Sequence, residues 1–123
     1  MKLHMQLASA LNTVTAYGPG WIEINRQRFE GPVLVMPEGE IEPWPVESFD
    51  TLAAADFEAL LARSPELVLL GTGEQQRFPH PRLVAPLTNA GIAVDSMTTH
   101  AACRTFNILM AEGRRVLAVL LPG

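Results

Sequence analysis

Cysteine and lysine are almost missing from this chain. Its 123 residues contain one Cys, and of nine basic residues only Lys2 is a lysine. The single thiol, Cys103, excludes an internal disulfide framework and any Cys-x-x-Cys metal or redox motif. It also makes a reducing compartment the simpler expectation. The formal charge is -4 at pH 7 with no basic stripe, which argues against nucleic acid as a partner. No stretch approaches the roughly twenty apolar residues of a membrane helix, so membrane insertion is not expected. The N-terminus, Met-Lys-Leu-His-Met-Gln-Leu, has no apolar core of a secretory signal, and the cytoplasm is the default location. No motif calls for a metal or cofactor.

What is present is apolar: 48% of the residues, enough for one domain over 1–123 with a core that needs no staples. The chain is organised around Pro65-Glu66-Leu67-Val68-Leu69-Leu70-Gly71-Thr72-Gly73. Four consecutive apolar residues suit a strand covered on both faces. Pro65 marks its start. Gly71 and Gly73 permit a sharp turn at its C-terminal end, where open α/β sheets usually bind ligands. Backbone N–H groups there could approach an anion, although the dinucleotide and Walker spacings are absent. The same glycines also suit a plain tight turn.

Before this strand the chain reads as β. Met1, Leu3, Met5 and Leu7 alternate with Lys2, His4 and Gln6. Asn12–Tyr17, Trp21–Ile24, Arg28–Glu30 and Pro32–Met36 follow as short strands of an antiparallel meander, with turns at Gly18-Pro19-Gly20 and Asn25-Arg26. Pro37–Asp50 is an acidic, proline-rich connection whose Ile41, Trp44 and Val46 are expected to pack back on the sheet. Trp44 would otherwise be an exposed anchor for a partner. Thr51–Arg63 reads as one helix capped by Asp50 or Thr51 and ended by Ser64-Pro65.

After the organising strand, helix and strand alternate. Glu74–Pro81 is a loop containing Arg77, Phe78 and His80. Arg77 could clamp an anion or pair with a surface acid. His80 has no sequence-level metal partners. A short helix from Pro81 or Arg82 to Ala90 leads to the strand Ile92–Val94, then Asp95-Ser96-Met97-Thr98. Thr98 reads as the N-cap of a helix to about Glu112, closed by Gly113, and Arg115–Leu121 is the last strand. The fold class is α/β with α+β character at the N-terminus: a β-meander first third, then αβαβαβ with parallel strands.

Two constellations could carry chemistry. Gly71, Thr72, Gly73, Asp95, Ser96 and Thr98 fall beside the N-terminus of the last helix, a natural anion site, with Arg104 and Asn107 further along it. Arg104 could instead pair with Asp95. The other is Cys103 with His100, three residues earlier, which nominally assist a thiolate; a buried, inert thiol is the plainer reading.

The segments Tyr17-Gly18-Pro19-Gly20-Trp21-Ile22-Glu23-Ile24-Asn25, Leu69–Gly73, Asp95–Thr99 and Ala101–Leu109, in this order and spacing, resemble the MTH-type domain-of-unknown-function family. That family includes the mitochondrial respiratory complex I assembly factor 3 and the adipogenesis-associated MTH-domain protein. The resemblance covers almost the whole chain. It implies a three-layer domain with a central mixed sheet and no established enzymatic activity. It also implies an assembly role through protein contacts. This chain starts almost directly at the domain, as a bacterial stand-alone version would. The first expectation is therefore a non-enzymatic interaction or assembly-factor-like module with an unknown protein partner, contacted through Trp44, Arg77 and Phe78. The alternative is a protein, or weak enzyme, that binds a small anion or nucleotide-like ligand at Gly71–Gly73 and Arg104.

Overall fold

The computed structural model describes residues 11–123, so the expected strand over Met1–Leu7, with His4, lies outside the described residues. The half-polar strands that come first among the described residues pair with one another, and the apolar runs go into the centre of a second sheet. Val14–Gly18 (β1), Trp21–Ile24 (β2) and Gln27–Phe29 (β3) form a three-stranded antiparallel meander. Its second turn is the pair Asn25 and Arg26, both at positive φ (54° and 70°), a two-residue turn whose twist matches the strands. Val33–Val35 (β4), Glu42–Pro43 (β5), Leu67–Thr72 (β6), Ala93–Met97 (β7) and Val116–Leu121 (β8) form a five-stranded sheet in the order β5-β4-β8-β6-β7. The strands β6, β7 and β8 are parallel, and β4 runs antiparallel to β8.

Alternation along the central strands divides the core in two. Val33, Val35, Leu67, Leu69, Ala118 and Leu120 face one side. Leu34, Val68, Leu70, Leu117, Val119 and Leu121 face the other. The helices Ala54–Glu58 (α1) and Pro81–Thr88 (α2) cover the second side through Phe57 and Leu87. The long helix Thr99–Ala111 (α3) covers the first through Ala102, Cys103, Phe106 and Met110. The meander lies on the same side, adding Val14, Ile22 and Ile24. The result is three layers around a mixed central sheet, as the family resemblance implies.

Three sequence expectations change. The strand expected over Pro32–Met36 is not part of the meander. All three residues of β4 are buried, and such a strand is satisfied only in the sheet that has cover on both faces. The single helix expected over Thr51–Arg63 is broken into a 3-10 turn Phe49–Thr51, the short α1, and a 3-10 turn Ala59–Arg63. Leu52 and Ala53 are extended between the first two, which turns Leu52 into the core. The N-cap of α1 is Ala53 rather than Asp50 or Thr51, and Asp56, three residues on, reaches back to accept the Ala53 N–H on Oδ2 at 2.8 Å. Finally, β7 extends to Met97. Asp95 and Ser96 therefore lie within the strand, opposite Leu69 and Leu70, not beyond its end.

The first turn of the meander is tight for a specific reason. A Cβ on Gly18 would stand 2.7 Å from the Trp21 indole, whose ring is covered by Arg28 at 4.3 Å from its centroid. Gly18→Ala is expected to cost about 1–3 kcal/mol by overpacking. Chemical denaturation should also show a smaller penalty for the same change made in a Trp21→Ala background.

Candidate functional site

The Gly71-Thr72-Gly73 turn sits at the C-terminal end of β6, but the chain itself fills the space around it. Thr99, fully buried at the start of α3, accepts the Gly73 N–H on its hydroxyl at 2.8 Å and donates the same hydroxyl to the Leu121 carbonyl. Its own N–H donates to the Gly73 carbonyl at 2.9 Å. A Cβ on Gly71 would lie 3.0 Å from Thr99 Oγ1 and 3.1 Å from Thr99 Cα, so the glycine is there for close packing on α3. Gly73, at φ 96°, turns the chain against Pro122 and Gly123.

The helix end is similarly occupied. Thr98 Oγ1 accepts the Ala101 N–H at 3.3 Å, as the sequence predicts, and the Thr98 carbonyl accepts from Ala102 at 2.9 Å. Together with the Thr99–Gly73 bond, this gives partners to two of the four amides that a helix start leaves unpaired, Thr99 and Ala101, and so less remains for an anion than at a bare helix end.

Nor do the other expected pocket residues converge. Arg104 points to the meander, where Nη1 donates to the Tyr17 hydroxyl at 2.8 Å. It pairs neither with Asp95 nor with the glycine turn. His100, one turn earlier, stacks on the Tyr17 ring with centroids 4.2 Å apart. Asn107 works as a side-chain substitute for a strand: Oδ1 accepts the Val14 N–H and Nδ2 donates to the Val14 carbonyl, each at 2.9 Å. It thereby ties β1 to α3. Ser96 is engaged through its carbonyl, which accepts from Gln76 Nε2 at 3.0 Å. The two clearest cavities lie elsewhere. One, of about 230 Å³, is lined by Leu11, Met36, Glu38 and Met110, near the start of β8. The other, of about 300 Å³, lies by Trp44, Pro45 and Ala59. On the rim of the latter, Arg63 binds Glu42 at 3.0 Å and holds its carboxyl below the ordinary carboxylate range.

Among the candidate contact residues, Trp44 is inside the protein. It is 3% exposed, packed edge-on against Phe57, so it is core rather than an exposed anchor. Phe78 is the opposite, at 76% exposed. The loop that carries it is braced. Thr72 Oγ1 accepts the Arg77 N–H at 3.2 Å and lies 2.6 Å from the Gln75 carbonyl. Arg77 binds Asp50 at 2.6 Å and stacks on Phe49 at 4.1 Å. His80 closes the loop by accepting the Arg82 N–H on Nδ1, which caps α2. Among the described residues no group of three His, Cys, Asp or Glu side chains could hold a metal. The sequence reading did not single out Thr99; its signal was the second Thr of the pair Thr98-Thr99, directly after a strand.

Cys103 is fully buried, and desolvation pushes its thiol up from 9.0 to about 12 despite the opposing pull of Arg104. Native protein is expected to react with iodoacetamide at pH 8 at least about a hundredfold more slowly than the urea-unfolded chain. The unfolded chain loses this proton near pH 9 and the folded one near 12, so stability is full below 9 and falls as pH rises through that window. The slope attributable to the thiol is up to about 1.4 kcal/mol per pH unit, and it should disappear in Cys103→Ala. For Asn107→Leu, which leaves both Val14 backbone groups without their partner, unfolding should show a loss of about 1–3 kcal/mol.

Comparison with known proteins agrees with this architecture. Residues 14–121 match a family described as "Protein of unknown function (DUF498/DUF598)". The zebrafish (Danio rerio) NADH dehydrogenase [ubiquinone] 1 alpha subcomplex assembly factor 3 is 32% identical over 94% of this chain and 67% of its own length. A Francisella tularensis protein called "13 kDa major membrane protein" is 32% identical over 62% of each chain. The chain thus spans about three-fifths to two-thirds of these relatives. No helix among the described residues is long and apolar enough to cross a membrane. A Bordetella parapertussis crystal structure superposes with a TM-score of 0.87 at 47% identity, covering 94% of this chain and 99% of that one. The solution structure of a Bordetella pertussis protein described as a Mth938-like domain gives a TM-score of 0.81 at 41% identity, covering 94% and 88%. Matched over nearly its whole length and sharing the Mth938-like fold, the chain belongs to the DUF498/DUF598 family and is homologous to the NADH dehydrogenase assembly factors 3.

Proposed function

We propose that this chain is a non-enzymatic interaction module of the assembly-factor kind, acting as one domain in the cytoplasm, and that it engages a protein partner through the loop from Glu74 to His80. The carrying observation is the contrast within that loop. Its backbone is held by Thr72, and its Arg77 by Asp50 and Phe49, while Phe78 stands 76% exposed. A large apolar side chain on a pre-ordered loop loses little entropy on binding, the usual property of an interface anchor. The name carried by the zebrafish relative supports a role in assembly, and respiratory NADH dehydrogenase is the assembly to test. The filled turn at Gly71–Gly73 and the orientation of Arg104 favour this reading over anion binding.

The test places a photo-crosslinking residue at position 78 and, as a control, at Glu23 on the meander. A discrete protein adduct at position 78 and none at 23 is the expected result. Phe78→Ala should weaken capture of that protein at least about tenfold, the effect of losing one buried aromatic anchor. It should leave the melting temperature unchanged and lower the amount of assembled NADH dehydrogenase in cells. Identical adducts at the two positions would overturn the assignment.

A further inference from the structure

The two edges of the five-stranded sheet are treated differently. At β5, Pro43 removes a ladder donor, Pro45 follows, and the Arg63–Glu42 ion pair stands beside the strand. Proline and charge are common ways to blunt an edge. β7 has no proline, its one charged residue is Asp95, and its pairing with β6 is regular from Ala93 to Met97. The Met97 carbonyl lies 3.1 Å from Thr72 Oγ1 and therefore faces β6. Backbone groups alternate direction along a strand, so Ala93 and Asp95 also bond inward, while Val94 and Ser96 turn theirs outward. On that outer side Gln76 holds the Ser96 carbonyl. Among the described residues, nothing meets the Val94 N–H, the Val94 carbonyl or the Ser96 N–H.

Asp95 identifies what can pair there. Its side chain is exposed on the α3 side of β7 and forms no ion pair among the described residues. The antiparallel β7–β7 register that uses the outward groups of both residues, Val94 of each copy bonding Ser96 of the other, sets Asp95 directly opposite its own copy, whereas registers centred on Val94 or Ser96 pair only one of the two residues. Like charges in that position are destabilising, and an opposite charge is favourable. We infer that β7 accepts an extended segment of a different protein as a sixth strand, with a Lys or Arg of that segment opposite Asp95. The backbone ladder would supply affinity and the Asp95 pairing selectivity, as in other strand-addition sites. This inference rests on the interaction-module reading and gives it a second contact, adjoining the Phe78 loop through Gln76.

The probe is the peptide acetyl-Thr-Val-Lys-Val-Thr-amide, titrated to millimolar concentration into ¹⁵N-labelled protein. The Val94 and Ser96 amides are expected to shift and to slow their hydrogen exchange. The same peptide with Glu in place of Lys should bind about fivefold more weakly, and Asp95→Lys should reverse the preference. Four results would overturn the inference: no change at these amides, binding indifferent to the peptide's charge, slow exchange of both amides before peptide is added, or a concentration-dependent dimer that protects them. Crosslinks at position 78 that persist when the peptide fails would remove only the β7 site. Peptide binding without those crosslinks would remove only the Phe78 anchor.

Discussion

The hydroxyl and amide of Thr99 hold together the end of the molecule on which everything else is set. Through one residue, the turn after β6, the end of β8 and the first turn of α3 share hydrogen bonds in a place that water does not reach. Buried polar groups of this kind tolerate no loss of partner, since each would be left desolvated and unpaired. Gly71 completes the joint, because only a residue without a side chain lets β6 come this close to Thr99 Cα. The consequence for function is direct. The end of a parallel sheet where ligands usually sit is here used to fasten a helix.

The same helix also carries the meander. Asn107 takes both backbone groups of Val14, and Arg104 and His100 engage Tyr17 about one and two turns earlier. Polar residues that look in sequence like site chemistry are thus spent on joining two sheets across α3. Two peripheral features remain available for recognition: an exposed Phe on a braced loop and a strand edge that no described residue pairs. That distribution suits a protein that binds other proteins by shape and backbone pairing.

Much of this was legible in the sequence wherever the signal is local. Pro65 and the apolar run after it set β6, Thr98 capped α3, and Gly113 ended it. The parallel strands and the family resemblance followed from such marks. Signals that depend on distant partners were not legible. Three apolar residues of β4 look the same in a meander as beside β8, and the choice is made by Ala118–Leu120, far along the chain. Trp44 was expected to pack or to protrude, and Phe57 decides between them. The direction of Arg104 depends on where Tyr17 stands, and the break in the helix at Leu52 on a core that already holds Phe57 and Leu60.

Strand order carries one more consequence. β8 lies between β4 and β6, yet it follows every other described strand in sequence. Until it emerges from the ribosome, β4 and β6 lack their common neighbour, and both halves of the core remain open along a central gap. Native pairing then closes a loop of most of the chain's length at once, a topology that folds slowly and late. In a growing cell the nascent domain is therefore most vulnerable to aggregation and to chaperone capture until β8 has been made, and that strand acts as its keystone.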